Sequence, residues 1–123
     1  MRRRTEAFTL IELLIVIIII GLLASIVIPR FFSTKERAFV AAMRSDLRNL
    51  TMAQDAYFSE TQTYTSNLSL LTGMFAPSQN VTVTVDSATA TGWGAKATNP
   101  GTNVVCTVAV SRIQVGSPTC ATP

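Results

Sequence analysis

The sequence predicts an α+β fold in which a long N-terminal helix packs against a small antiparallel β-sheet. Two patterns lead to it. From Phe8 to Ile28 nearly every position is apolar, and the amphipathic stretch that follows is not set off by any turn cluster. From Val81 onward, apolar and polar residues alternate in short runs broken by Gly, Pro and Asn. A helical period therefore gives way to a strand period once along the 123-residue chain, placing the helix first and the sheet second.

The apolar run Phe8–Ile28 is 21 residues long, and about 20 residues at ~1.5 Å rise span the hydrocarbon core of a bilayer. Beyond it, Phe39, Met43, Leu47, Leu50, Gln54 and Tyr57 recur at spacings of three and four, with Arg37, Arg44, Asp46, Arg48 and Asp55 between them. That is the pattern of an amphipathic helix with one buried face. Pro29 is the only strong breaker before Gly73, so one helix is expected from about Phe8 to about Ser59, some 75 Å at ~1.5 Å per residue. Pro29 lacks the amide hydrogen and crowds the preceding turn, so a kink or loosening is expected there, with Gly21 a second weak point.

Ser59 to Pro77 reads as a connecting loop, with Leu68, Leu70, Leu71 and Phe75 as its anchors onto the helix. Three strands follow: Val81 to Val85, Gly92 to Thr98, and Val104 to Ile113. In the third, Val104, Cys106, Val108 and Val110 fall on one face, and the Asn99-Pro100-Gly101 turn precedes it. Three short strands with tight connections make an antiparallel sheet whose apolar face covers the amphipathic half of the helix.

The net charge of +3 is unevenly placed. Arg2, Arg3, Arg4 and Glu6 supply +2 of it, leaving seven basic and six acidic side chains in the rest of the chain. A nearly neutral body offers no electrostatic basis for nucleic-acid binding, and direct binding is not expected. Three arginines just before an apolar run follow the positive-inside rule, which keeps the N-terminus cytoplasmic and puts the remainder outside. Cys106 and Cys120 would then lie in oxidising surroundings, where a disulfide is the expected state; two thiols that never meet is the alternative. The pair would close a loop of about 15 residues, worth roughly 3 kcal/mol in the chain-entropy view. A metal site is not expected from two Cys and no His. Nor does any catalytic pair of carboxylates, nucleophile with a base, or glycine-rich phosphate loop occur, so neither enzymatic activity nor a cofactor is expected.

Glu12 is the anomaly. A carboxylate inside a spanning segment costs on the order of 2.5–3.5 kcal/mol, so it requires a neutralising partner. A cleaved secretory signal would need a shorter apolar core and a small-residue site after it, which Leu22-Leu23-Ala24-Ser25 supplies poorly. The short basic leader followed by Phe8-Thr9-Leu10-Ile11-Glu12 and an apolar helix instead resembles the type IV pilin and pseudopilin family, most nearly the type IVa-like major pilins. The resemblance covers about 25 residues and extends to Gly21 and Pro29, where such sequences often place Gly and Pro.

The resemblance implies cutting by a prepilin peptidase between Ala7 and Phe8, where the family usually has Gly before the cut, and N-methylation of the new terminus at Phe8. It implies that Glu12 pairs with that amine during docking, and that Gly21 and Pro29 act in assembly. Residues 1–7 are then a leader, 8–29 the transmembrane and assembly helix, 30–60 its amphipathic continuation, and 61–123 a β-sheet head with a C-terminal disulfide loop. The implied product is a homopolymer. Its precursor sits in the inner membrane and is drawn by an assembly machinery into an extracellular filament. Two related roles stand beside it. Major pseudopilins of type II secretion commonly carry an acidic calcium loop near the C-terminus, whereas Ser87 to Pro123 has no Asp or Glu. A competence (DNA-uptake) pilin would need cations beyond Arg48, where only Lys96 and Arg112 occur.

Overall fold

The computed structural model describes residues 6–123, so the arginines of the leader lie outside the described residues. Two compact units result, one ending at Lys35 and the other spanning Glu36–Pro123. Helix α1 runs Leu10–Thr61, and its helical backbone is unbroken through Gly21 and Pro29. A 3-10 turn at Leu68–Leu71 interrupts the loop that follows. Five strands complete the chain: β1 Thr82–Ala88, β2 Gly92–Thr98, β3 Val105–Ser111, β4 Gln114–Val115 and β5 Thr119–Ala121. The expected α+β architecture of one long helix and a small antiparallel sheet is what forms.

Within the Glu36–Pro123 unit the helical stripe Met43, Leu47, Leu50 and Ala53 is buried together with alternate residues of the sheet. These are Val83 on β1, Trp93, Ala95 and Ala97 on β2, and Cys106, Val108 and Val110 on β3. The register explains the grouping. Trp93 lies opposite Val110, Ala95 opposite Val108 and Ala97 opposite Cys106, so period two delivers every second side chain of both strands to one face. On the other side of β2, β1 pairs antiparallel and slips its register between Val85 and Ser87.

The sheet is larger than the three strands expected. After β3 the chain turns at Arg112–Ile113 and comes back as β4 and β5, both antiparallel to β3 on the edge that β2 leaves open. β4 pairs with the C-terminal end of β3 and β5 with its N-terminal end, while Gly116 and Pro118 separate them. A Cβ on Gly116 would collide with the Ala109 carbonyl oxygen, so only glycine lets the return segment pass that close. Strands of two and three residues carry no alternation pattern to read, which is why the sequence did not disclose them. β5 places Cys120 directly opposite Cys106 and the two form a disulfide, tying the last strand to β3.

Two polar side chains of α1 organise the loop. Gln54, fully buried, donates through Nε2 to the Thr65 carbonyl at 2.6 Å and accepts from the Thr65 amide at 3.1 Å. Asp46, expected on the polar face, is instead buried at 2% exposure. It accepts from the Ser78 amide and the Ser78 hydroxyl, both at 2.8 Å. Its position carries it inward because Asp46 lies one residue from Leu47, at the edge of the buried stripe, where the loop rather than water meets it. Of the expected loop anchors, Leu71 is fully buried and Leu68 and Phe75 are half-buried. Leu70 points out at 51% exposure, because the 3-10 turn rotates neighbouring residues to different sides. Tyr64 stacks on Phe58 with ring centroids 4.6 Å apart and meets Trp93 at 6.4 Å.

Replacing the buried Asp46 with Ala removes both hydrogen bonds that pin Ser78 to the helix and should destabilise the head by about 2 kcal/mol, with Asp46→Asn costing less because one acceptor remains. Urea unfolding of the detergent-solubilised chain measures both. Cys106→Ser with Cys120→Ser should lower stability by about 3 kcal/mol in the same assay.

Candidate functional site

The N-terminal unit begins with a non-helical stretch, Glu6 to Thr9, and the Ala7–Phe8 peptide bond lies within it. Both residues are exposed, Phe8 at 82%. A peptidase needs an extended, accessible bond, and a bond inside a helix offers neither. The expected cleavage position thus sits on the open side of the helix start, which falls at Leu10 rather than Phe8.

What fixes that start is a set of three reciprocal hydrogen bonds between Thr9 and Glu12. The Glu12 carboxylate accepts from the Thr9 amide at 2.8 Å and from the Thr9 hydroxyl at 2.8 Å. In return the Glu12 amide donates to the Thr9 hydroxyl oxygen at 3.3 Å. Thr9 is the N-cap, Glu12 the third helical residue, and the arrangement is a capping box that satisfies amides the helix would otherwise leave bare. The negative charge also sits at the positive end of the helix dipole. Glu12 therefore has a local partner before any cleavage creates an amine. These hydrogen bonds satisfy the carboxylate without neutralising its charge, and Thr9 is a residue that reading the apolar run passed over. Its signal was present as Thr9-x-x-Glu12 ahead of an apolar stretch. Phe8 and Leu13 flank the box at the positions of a hydrophobic staple and line one groove with Ile15 and Val16.

Behind the cap, Leu10 to Ile28 projects apolar side chains on every side, and within this span none is buried by the chain. This helix is long and apolar enough to cross a membrane. A Cβ added at Gly21 would meet nothing within 4 Å, so nothing in its own chain requires glycine there. At Pro29 the ring removes the donor for the Ser25 carbonyl, yet helical backbone continues on both sides. Ser33 and Thr34 hydroxyls donate back to the Arg30 carbonyl at 3.0 and 2.9 Å. Cys106 and Cys120 belong to the other unit and pair with each other. Among the described residues, no group of three or more His, Cys, Asp or Glu side chains could hold a metal ion.

Residues 2–28 match the family model described as the prokaryotic N-terminal methylation motif. Over 90 residues the chain is 38% identical to the type IV wide pilus major component PilA4 of Thermus thermophilus, covering 72% of this chain and 69% of that protein. It is 44% identical over 61 residues to the type IV major pilin protein PilA of Myxococcus xanthus, covering half of this chain and 28% of the relative. With the type II secretion system core protein G of Pseudomonas aeruginosa it shares 35% identity over 65 residues, 53% of this chain and 46% of the relative. A capped, all-round apolar helix, a small disulfide-tied antiparallel sheet, and similarity that reaches beyond the helix into the sheet together place the chain in the type IV pilin family, with the type II secretion pseudopilins as its near relatives.

Proposed function

We propose that the chain is the structural subunit of a type IV pilus-like filament, processed by a prepilin peptidase and polymerised through α1. The observation that carries this reading is the Leu10–Ile28 helix, apolar on all sides, unburied by its own chain, and bearing one carboxylate at its start. Such a helix requires either lipid or copies of itself. As precursor it sits in the inner membrane. Cutting between Ala7 and Phe8 removes the arginines that hold the N-terminus at the cytoplasmic surface and exposes a new amine at Phe8, which is then methylated.

In the fibre, lipid contacts give way to helix–helix contacts. Glu12 turns from its capping box to the Phe8 amine, of its own chain or a neighbour's, and an unpaired carboxylate in the fibre core would be costly enough to enforce register. The open space over Gly21 lets a neighbouring backbone approach, and the missing donor at Pro29 marks where the helix yields during extraction. The heads form the outer surface, and no step calls for catalysis. Residues 1–7, 8–29, 30–60 and 61–123 are the functional segments of this scheme.

A pseudopilin role is the second reading, favoured by the identity to core protein G. Mass spectrometry of sheared extracellular filaments separates the two. Chains beginning at N-methylated Phe8 in that fraction establish the pilus subunit; Phe8-started chains confined to the envelope establish the pseudopilin; chains that keep Met1 sink both. Glu12→Ala should leave membrane insertion intact and cut filament yield about tenfold or more, since each ~1.4 kcal/mol is a factor of ten. Thr9→Val removes the cap hydroxyl, costs the helix start about 1 kcal/mol, and should reduce yield less than Glu12→Ala. Equal yields from Glu12→Ala and the unsubstituted chain would refute the pairing.

A further inference from the structure

The two sulfurs of the Cys106–Cys120 bridge have unlike surroundings. Cys106 lies on β3 opposite Ala97 of β2 and is fully buried in the core. Cys120 lies on the three-residue edge strand β5 and is half-buried. Arg44 of α1, itself exposed, donates through Nε to the Cys120 sulfur at 3.2 Å. Among the described residues, the one ion pair within 4.0 Å joins Lys96 to Asp86, so no carboxylate engages Arg44. Arg37, Arg48 and Glu36 line one groove with Arg44 and Thr122. Glu36 accepts there from the Thr102 hydroxyl at 2.9 Å. β3 and β5 bring no acid to the site, because Ser87 to Pro123 has no Asp or Glu. The Cys120 sulfur therefore faces a cation at contact distance, with two further arginines along the groove.

A neutral disulfide gains little from a guanidinium, but a thiolate gains a great deal. Opposite charge at this distance favours the ionised sulfur, whereas an apolar core favours the protonated one. With the bridge open, the accessible cysteine is thus also the ionised one, and the buried cysteine is the inert one. The thiolate is the nucleophile of disulfide exchange, so the two cysteines are not equivalent partners in closing the loop.

We propose that Cys120 is the entry point for oxidation of the head, with Arg44 holding its sulfur as the thiolate that meets the oxidant first. The oxidant is itself a disulfide, small or protein-borne. The Cys120 thiolate attacks one of its sulfurs, the oxidant's S–S bond breaks, and one half leaves as a thiolate. Cys106 then gives up its proton and attacks the Cys120 sulfur, expelling the second half. Two cysteine thiols are oxidised, one oxidant disulfide is reduced, and the two protons released end on the two departing thiolates. The same asymmetry guards the closed bridge. Attack on the accessible Cys120 sulfur expels the Cys106 thiolate into the core, and the sulfur whose attack would release the Arg44-paired thiolate is buried. The proposal holds whether or not the chain polymerises.

The test uses the full chain, solubilised in detergent, reduced, and mixed with glutathione disulfide at about pH 7 before an acid quench. Mass spectrometry then assigns the earliest glutathione adducts. They should favour Cys120 over Cys106 by about fivefold or more. Equal labelling, including that of a reduced head that has lost its sheet, overturns the proposal, as does a preference for Cys106. Arg44→Gln should slow adduct formation at Cys120 about threefold at pH 7, since the loss of thiolate is partly offset by its greater nucleophilicity. The difference should vanish or reverse by about pH 10, where the thiol ionises without help. Arg44→Lys, which keeps the charge, should restore most of the rate. An Arg44→Gln effect that is the same at every pH, or that Lys does not rescue, would mean that Arg44 merely props β5, and overturns its part in the chemistry.

Discussion

A helix that is apolar on every side has no stable place in water, and this requirement governs the rest of the molecule. From Leu10 to Ile28 no side chain is buried by the chain itself, so the free energy of removing that surface from water is held in reserve for lipid or for other copies. The Glu36–Pro123 unit stands on its own core and does not use it. The same element can thus serve first as an anchor and later as the adhesive core of a polymer, with no rearrangement of the head.

One carboxylate conditions that reserve. Glu12 is tolerable at the start of an apolar helix because it closes the capping box with Thr9 at the end where bare amides and the helix dipole favour a negative charge. The capping role and the pairing role draw on the same oxygens. In the assembly scheme proposed above each therefore tempers the other: a capped Glu12 would not drive indiscriminate association in the membrane, and an amine that outcompetes Thr9 would make association selective.

The head solves a different problem with limited material. A core of four helix residues and alternate strand residues is small, and polar pins supplement it: Gln54 to Thr65, Asp46 to Ser78, and the Cys106–Cys120 bridge. Two of these hold the loop against the helix and the third holds the last strand to the sheet.

The sequence by itself determined the class of the fold, the amphipathic half of the helix, the span of β2, the inward face of β3, and the place of Glu12 in an apolar run. All of these are periodicity or local composition, readable because side-chain direction repeats along a regular backbone. The family signature was equally local, since it occupies one stretch of chain. Tertiary structure alone decided that Asp46 faces inward, that Leu70 faces outward, and that two short strands close the open edge of β3. The Cys106–Cys120 bridge was expected from the sequence, but its place, joining two directly opposed strand residues across that edge, was not. Each of these turns on which distant segment arrives beside a residue. A two-residue strand has no period, and a carboxylate at the margin of an apolar stripe is buried or exposed according to whether a loop amide or water reaches it.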